Sequence, residues 1–123
     1  RQLEYGQRLE RRARNVMTQA PGESTGRRLY SSALAAGAQA LQRPVGALAV
    51  GARADIVLLD DDHPDLAARH GDHWLDAWIF VAGRNAVKTV LVGGESVVEA
   101  GRHIAHAAIA ARFKSVVAKL AAI

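Results

Sequence analysis

The chain has 123 residues and a mass of 13.1 kDa, the size of a single domain. Half of its residues are hydrophobic and 23% are charged, which excludes a disordered tail. It has no cysteine, which excludes disulfides, thiolate metal sites and a cysteine nucleophile. No run of 18 apolar residues is present, which excludes a membrane-spanning helix. Because a lack of cysteine fits a reducing compartment, we expect a cytoplasmic protein.

The net charge of +4 arises at the start of the chain. The first 28 residues contain seven arginines and three glutamates, and the rest of the chain is neutral overall. The basic cluster consists of Arg8, Arg11, Arg12, Arg14, Arg27 and Arg28. One interpretation is a helix that contacts nucleic-acid phosphates. Glu4 and Glu10 lie among these arginines at pairing distance, so we predict a solvated or protein-contacting face and expect neither a nucleic-acid nor a membrane partner.

Apolar residues at helical spacing predict four helices. The first covers 1–19, with Tyr5, Leu9 and Val16 on one stripe, and Pro21 follows it. The second covers 26–42, with Ser24 or Thr25 as its N-cap. The third covers 72–81 and the fourth 105–122. The first helix begins without a cap or a methionine, so we expect sequence upstream of it.

Extended segments predict three or four short strands. The pattern at 48–60 contains four consecutive large apolar residues, which indicates a strand covered on both faces. Residues 87–92 and 95–99 predict two more strands joined by a Gly93-Gly94 turn. So few strands leave unpaired edges and too little cover for a stable sheet. We therefore expect either one end of a larger protein or a module that completes its sheet with a partner chain.

Five histidines are candidate metal ligands. They are His63, His70, His73, His103 and His106, and four of them form two H-x-x-H pairs. Zinc needs three or four convergent ligands, and nothing in the sequence brings the two pairs together. We therefore predict surface histidines and no metal site in this chain.

Other candidate site residues have structural interpretations. The aspartates at 60–62 could attract a cation, but they lack the EF-hand spacing, so we predict a solvated turn. Asp55 begins a strand without a titratable partner nearby, so we predict a structural hydrogen-bond acceptor. Trp74 and Trp78 lie one helical turn apart, which favours core or interface packing over covering a ligand.

Two segments resemble the amidohydrolase superfamily. Residues 46–57, GALAVGARADIV, are similar to its strand pair of pattern G-x-L-x-x-G-x-x-A-D, and residues 87–101 are similar to the hairpin that follows. The resemblance is closer to the formimidoylglutamate deiminases of histidine breakdown. It is carried by LEYGQRL at 3–9, GRRLY at 26–30 and HPDL at 63–66, and it extends to about residue 103.

This resemblance implies an α+β fragment of a metal-dependent hydrolase. Residues 1–45 would be the last helices of its (β/α)8 barrel. Residues 46–103 would be strands of its small composite β-sandwich with an inserted helix, and residues 104–123 would be a terminal helix. The whole protein would convert N-formimino-L-glutamate to N-formyl-L-glutamate and ammonia, with zinc or a similar divalent metal activating water.

The resemblance also implies where the site does not lie. The H-x-H metal pair of the family has no counterpart here, so we assign no catalytic, cofactor-binding or metal residue to this chain and expect it to be inactive alone. As partners we expect the missing N-terminal part of the same protein, a small-molecule substrate and a second copy in a homodimer. The strand motif would also suit a deaminase of the guanine deaminase or chlorohydrolase type, and a non-enzymatic interaction module is the other alternative.

Overall fold

The computed structural model describes residues 1–122, which form four α-helices and one antiparallel sheet. The helices are α1 (Gln2–Arg11), α2 (Thr25–Leu41), α3 (His73–Ala77) and α4 (His106–Leu120). The strands are β1 (Ile56–Leu59), β2 (Val87–Val92), β3 (Glu95–Glu99) and β4 (Arg102–His103), in the sheet order β1-β2-β3-β4. Residue 123 lies outside the described part.

Helix α2 agrees with the sequence prediction at both ends. The Ser24 hydroxyl accepts a hydrogen bond from the Arg27 amide and caps the first turn. The helix ends at Gln42, which has a left-handed backbone conformation, and Pro44 follows two residues later.

Helix α1 is shorter than the sequence predicted. The predicted helix 1–19 ends at Arg11, and Arg12 adopts a left-handed conformation with φ of 50°. The amides of Val16 and Met17 donate to the buried carboxylate of Glu4 instead of continuing the helix. This carboxylate holds the following residues back against the first turn of the helix. The apolar residues at 16 and 17 therefore lie in a loop and do not extend the apolar stripe of α1.

The sheet confirms the predicted hairpin and corrects the predicted first strand. β2 and β3 have the predicted bounds and are joined at Gly93-Gly94. The extended segment at 48–60 contains only the four-residue strand β1, and Leu48 and Val50 lie in exposed turns before it. Val57 and Leu58 are also exposed, so within this chain β1 is not covered on both faces. β4 was not predicted, because two residues are too few for a period.

A small core lies around helix α3. The predicted helix 72–81 is α3 followed by a π-helical turn at Trp78–Ala82, and a 3₁₀ turn at Gly83–Ala86 leads into β2. The buried apolar residues are Leu66, Ala77, Ala82 and Ala86, and Leu59, Trp74 and Trp78 pack against them. Small alanines allow close approach of the backbones, so few residues suffice to pack α3 and the turns that flank it together.

Most of the apolar surface lies outside this core. The chain exposes 9372 Å², whereas a compact monomer of its mass exposes about 6,400 Å². Helix α4 has no buried residue, and its stripe of Ile109, Phe113, Val116, Val117 and Leu120 is between 44% and 68% exposed. A self-contained domain would cover such a stripe.

No helix within residues 1–122 is both long and apolar enough to span a membrane.

Candidate functional site

A cavity lies where the loop after α1 meets α3. It has a volume of about 770 Å³ and is lined by charged and polar groups, among them Arg8, Arg14, Arg69, His73 and Asp76. Its walls come from α1, from the loop that Glu4 draws back, and from the α3 region. The loop therefore shapes the cavity, and the position of the loop depends on Glu4.

Glu4 is a fully buried carboxylate whose two oxygens accept three hydrogen bonds. Oε1 accepts from Arg8 Nε at 2.7 Å and from the Val16 amide at 3.1 Å, and Oε2 accepts from the Met17 amide at 3.0 Å. Burial alone would raise the pKa of Glu4, but the hydrogen bonds from Arg8, Met17 and Val16 and the charge of Arg8 together lower it. The carboxylate is therefore ionised at neutral pH and its acceptor sites are engaged, so it fixes the loop and is unsuited to proton abstraction.

Arg8 connects this carboxylate to two aromatic rings. Its guanidinium carbon lies 5.6 Å from the ring centre of Tyr5 and 5.1 Å from that of Phe80. The two rings lie 5.9 Å apart in a tilted arrangement. An ion pair and two cation–π contacts on one side chain tie α1 to the π-helical turn that carries Phe80.

Asp76 holds the start of α2 against α3. Its Oδ1 accepts from the Gly26 amide at 2.6 Å, and its Oδ2 lies 3.7 Å from Nδ1 of His73. A side chain at Gly26 has no room, because a Cβ there would lie 2.5 Å from the backbone nitrogen of Asp76. This close approach brings Thr25 beside the loop, where its hydroxyl donates to Oδ1 of Asn15 at 3.1 Å. Glu4, Asp76 and Thr25 are thus committed to contacts that join α1, α2, α3 and the loop after α1.

Four of the five histidines are exposed and His63 is half-buried, and His103 and His106 line one cleft. His63 Nδ1 accepts from the Asp65 amide at 3.2 Å, and His103 Nδ1 accepts from the Ala105 amide at 3.1 Å. Across residues 1–122, no group of three potential ligand atoms that could share one ion includes a histidine. Neither H-x-x-H pair therefore supplies the three convergent ligands that a zinc site requires.

The aspartates at 60–62 do bring three carboxylates within 4.8 Å of one another. Lys88 Nζ lies 3.3 Å from Asp60 and 3.6 Å from Asp61, and a hydrogen bond to Asp60 with the charges of both carboxylates raises the pKa of Lys88. The lysine is the cation that this turn binds. The predicted solvated turn agrees with this arrangement.

Asp55 and the two tryptophans have the structural roles predicted for them. Asp55 Oδ1 accepts from the Gly93 amide at 2.8 Å and also lies 3.1 Å from Arg53 Nε, which fastens the β2–β3 turn to the start of β1. Trp78 packs 5.8 Å from the ring of Tyr30. Trp74 Nε1 donates to the Arg69 carbonyl at 2.7 Å.

Comparison with known proteins identifies similar sequences and structures. Residues 10–97 match the amidohydrolase family. A formimidoylglutamate deiminase of Pseudomonas aeruginosa is 47% identical over 120 residues, which cover 98% of this chain and 26% of that protein. The crystal structure of an amidohydrolase from Brucella melitensis has a TM-score of 0.83 and 42% identity, over 97% of this chain and 26% of that one. This chain therefore spans about a quarter of the length of the proteins that it matches.

Proposed function

Because the chain belongs to the amidohydrolase family, we propose that it is the C-terminal structural part of a hydrolase that deiminates N-formimino-L-glutamate. The observation that carries this proposal is the 47% identity to a formimidoylglutamate deiminase, which extends over 98% of the chain. In the proposed reaction, the oxygen of water bonds to the formimino carbon and the bond from that carbon to the terminal nitrogen breaks. The products are N-formyl-L-glutamate and ammonia, so atoms balance without a further reactant.

The residues of this chain do not fit the divalent metal that the amidohydrolase family generally uses. Within residues 1–122, the one group of three close ligands consists of the aspartates at 60–62, and it contains no histidine. Lys88 already neutralises Asp60 and Asp61 of that group. We therefore place the metal-binding and catalytic residues of the proposed enzyme outside this chain.

The role proposed for this chain is to support a larger fold. The exposed apolar side chains of α1, of the turns before β1 and of α4 support this role, as does the exposed area of 9372 Å². On α1, Leu3 and Leu9 are mostly exposed. A partner surface that buries these groups would stabilise the protein by about 25 cal/mol for each Å² of apolar area removed from water. The remaining polypeptide of the same enzyme is the proposed partner.

The activity is tested on the full-length protein. Ammonia release from N-formimino-L-glutamate, followed through a coupled glutamate dehydrogenase reaction, should equal the N-formyl-L-glutamate formed, as measured by mass spectrometry. Guanine and a chlorinated triazine serve as comparison substrates. Turnover of either in place of N-formimino-L-glutamate would contradict the proposal and support a sister enzyme of the superfamily.

The structural role is tested on the isolated 123-residue chain and on the full-length protein. We expect the isolated chain to release no ammonia and to aggregate or exchange strands, because its sheet edge and α4 are uncovered. A compact monomer with a cooperative thermal transition would instead support a free-standing interaction module. For the full-length protein we propose a homodimer, and light scattering after size-exclusion chromatography should give twice the monomer mass.

A further inference from the structure

A second cleft lies at the opposite end of the sheet from the β2–β3 turn. It has a volume of about 640 Å³, and its polar lining consists of Arg84, Asn85, Arg102, His103 and His106. These residues come from three segments: the 3₁₀ turn before β2, strand β4, and the first turn of α4. In the sequence the two histidines are candidates only for metal ligands, and no pattern singles out the two arginines.

Backbone contacts bring these segments together. The turn between β3 and β4 has two consecutive left-handed residues, Ala100 with φ of 47° and Gly101 with φ of 73°. The Gly101 amide donates to the Lys88 carbonyl at 2.9 Å, and a Cβ at Gly101 would lie 3.3 Å from the Val87 carbonyl oxygen. The turn therefore lies directly against the start of β2. This contact places Arg102, next in the chain, on the same cleft as Arg84.

The lining of the cleft offers hydrogen-bond donors and positive charge. It contains two guanidinium groups and no carboxylate. Within residues 1–122, neither Arg84 nor Arg102 forms an ion pair, whereas Arg27 and Arg53 lie 3.5 Å and 3.1 Å from aspartates. His103 Nδ1 accepts from the Ala105 amide, so in the neutral ring the proton is on Nε2, which is left as a donor. Such a lining disfavours a cation and suits an anion with several acceptor oxygens.

We propose that this basic cleft binds a small oxyanion of the phosphate class, and that Arg84 and Arg102 are its main ligands. Guanidinium groups bind phosphate through paired N–H donors as well as through their charge. Binding at this site should therefore require arginine and not only a positive charge. The volume accommodates a phosphate ester as well as a free phosphate, since ligand sites span roughly 300–1,000 Å³. The site is separate from the reaction proposed above and does not depend on it.

The test is isothermal titration of inorganic phosphate into the full-length protein at constant ionic strength, with chloride as the competing anion. We expect one site per chain in the unmodified protein. The double variant R84Q/R102Q should bind at least tenfold more weakly. The matched control R112Q/K119Q, which removes two cations from α4 outside the cleft, should bind as the unmodified protein does. Circular dichroism melts of both variants check that each one folds.

Two further outcomes decide the proposal. A second titration with glycerol 3-phosphate separates the two sources of the anion, because tighter binding than inorganic phosphate would indicate an organic phosphate and equal binding a free one. The conservative variant R84K/R102K retains the charge and should lose affinity if paired guanidinium donors are required. Absence of saturable binding, or equal weakening in R84Q/R102Q and R112Q/K119Q, would overturn the proposal.

Discussion

The substitution Glu4→Gln tests whether one buried carboxylate holds the loop after α1. Glu4 is fully buried and accepts hydrogen bonds from Arg8 Nε, from the Val16 amide and from the Met17 amide at 2.7, 3.1 and 3.0 Å. Glutamine has nearly the same volume, but it is uncharged and offers an NH₂ group in place of one acceptor oxygen. At least one amide donor therefore loses its acceptor, and Arg8 loses its counter-charge.

The expected cost is about 2–3 kcal/mol, because a single hydrogen bond to a charged acceptor contributes roughly 1.5–3 kcal/mol. Arg8 is partly exposed, so water compensates part of its loss and the cost stays below the full value for a buried ion pair. At about 1.4 kcal/mol for each factor of ten, the opening equilibrium of the loop rises roughly 30- to 140-fold. The contact is local, so the change should be largest in the loop.

The assay is hydrogen exchange with mass spectrometry on full-length protein, read in peptides that cover 12–18. Exchange of the Val16 and Met17 amides should be about 30- to 140-fold faster in E4Q, because exchange follows the opening equilibrium of the loop. The control is E10Q on the same helix, since exposed Glu10 accepts only a 3.3 Å bond from Gln7. Exchange in E4Q within threefold of the unmodified protein would refute the conclusion that Glu4 fixes the loop.

The same carboxylate predicts a pH dependence with a definite sign. The folded pKa of Glu4 lies below its usual value of 4.5, so its contribution to stability is fully present above that value and is lost as the pH falls through the folded pKa. The difference in urea unfolding free energy between the unmodified protein and E4Q should therefore be constant near neutral pH and shrink below pH 4.5. A difference that grows on acidification would contradict this assignment.

The remaining predictions concern three other contacts, and each is measured on the full-length protein. Gly26→Ala should lower the free energy of unfolding in urea by several kcal/mol, because its Cβ would lie 2.5 Å from backbone atoms. Gly37→Ala in the same helix is the control. Its Cβ has nothing within 4 Å, so it should raise the free energy of unfolding by about 0.5–1 kcal/mol. Asp55→Ala removes the acceptor of the Gly93 amide and should cost about 1–2 kcal/mol in the same measurement. Phe113→Asp should lower the thermal midpoint if α4 is covered in the full-length protein, and an unchanged midpoint would show that its stripe stays in water.

Local patterns in the sequence were sufficient to predict α2, α4 and the hairpin of β2 and β3. The Gly93-Gly94 turn, the Ser24 cap and the apolar period of α4 each depend on residues close together in the chain, and the structure confirms all three. The acceptor role of Asp55 was also predicted from its position at the start of a strand, but its ion pair with Arg53, two residues earlier in the chain, was missed. The family resemblance added what these patterns could not, namely membership of the amidohydrolase family.

Contacts between residues that are distant in the chain change what the local patterns predict, and only the tertiary structure shows where these contacts form. Glu4 accepts amides 12 and 13 residues away, so no helical or strand period could reveal that α1 ends at Arg11. The basic cleft likewise forms because the left-handed turn at Gly101 lies against β2 and brings Arg102 to the same cleft as Arg84, 18 positions earlier in the chain. Hydrogen-bond geometry and backbone approach act between residues that are distant in sequence, and a pattern read along one segment contains no information about them.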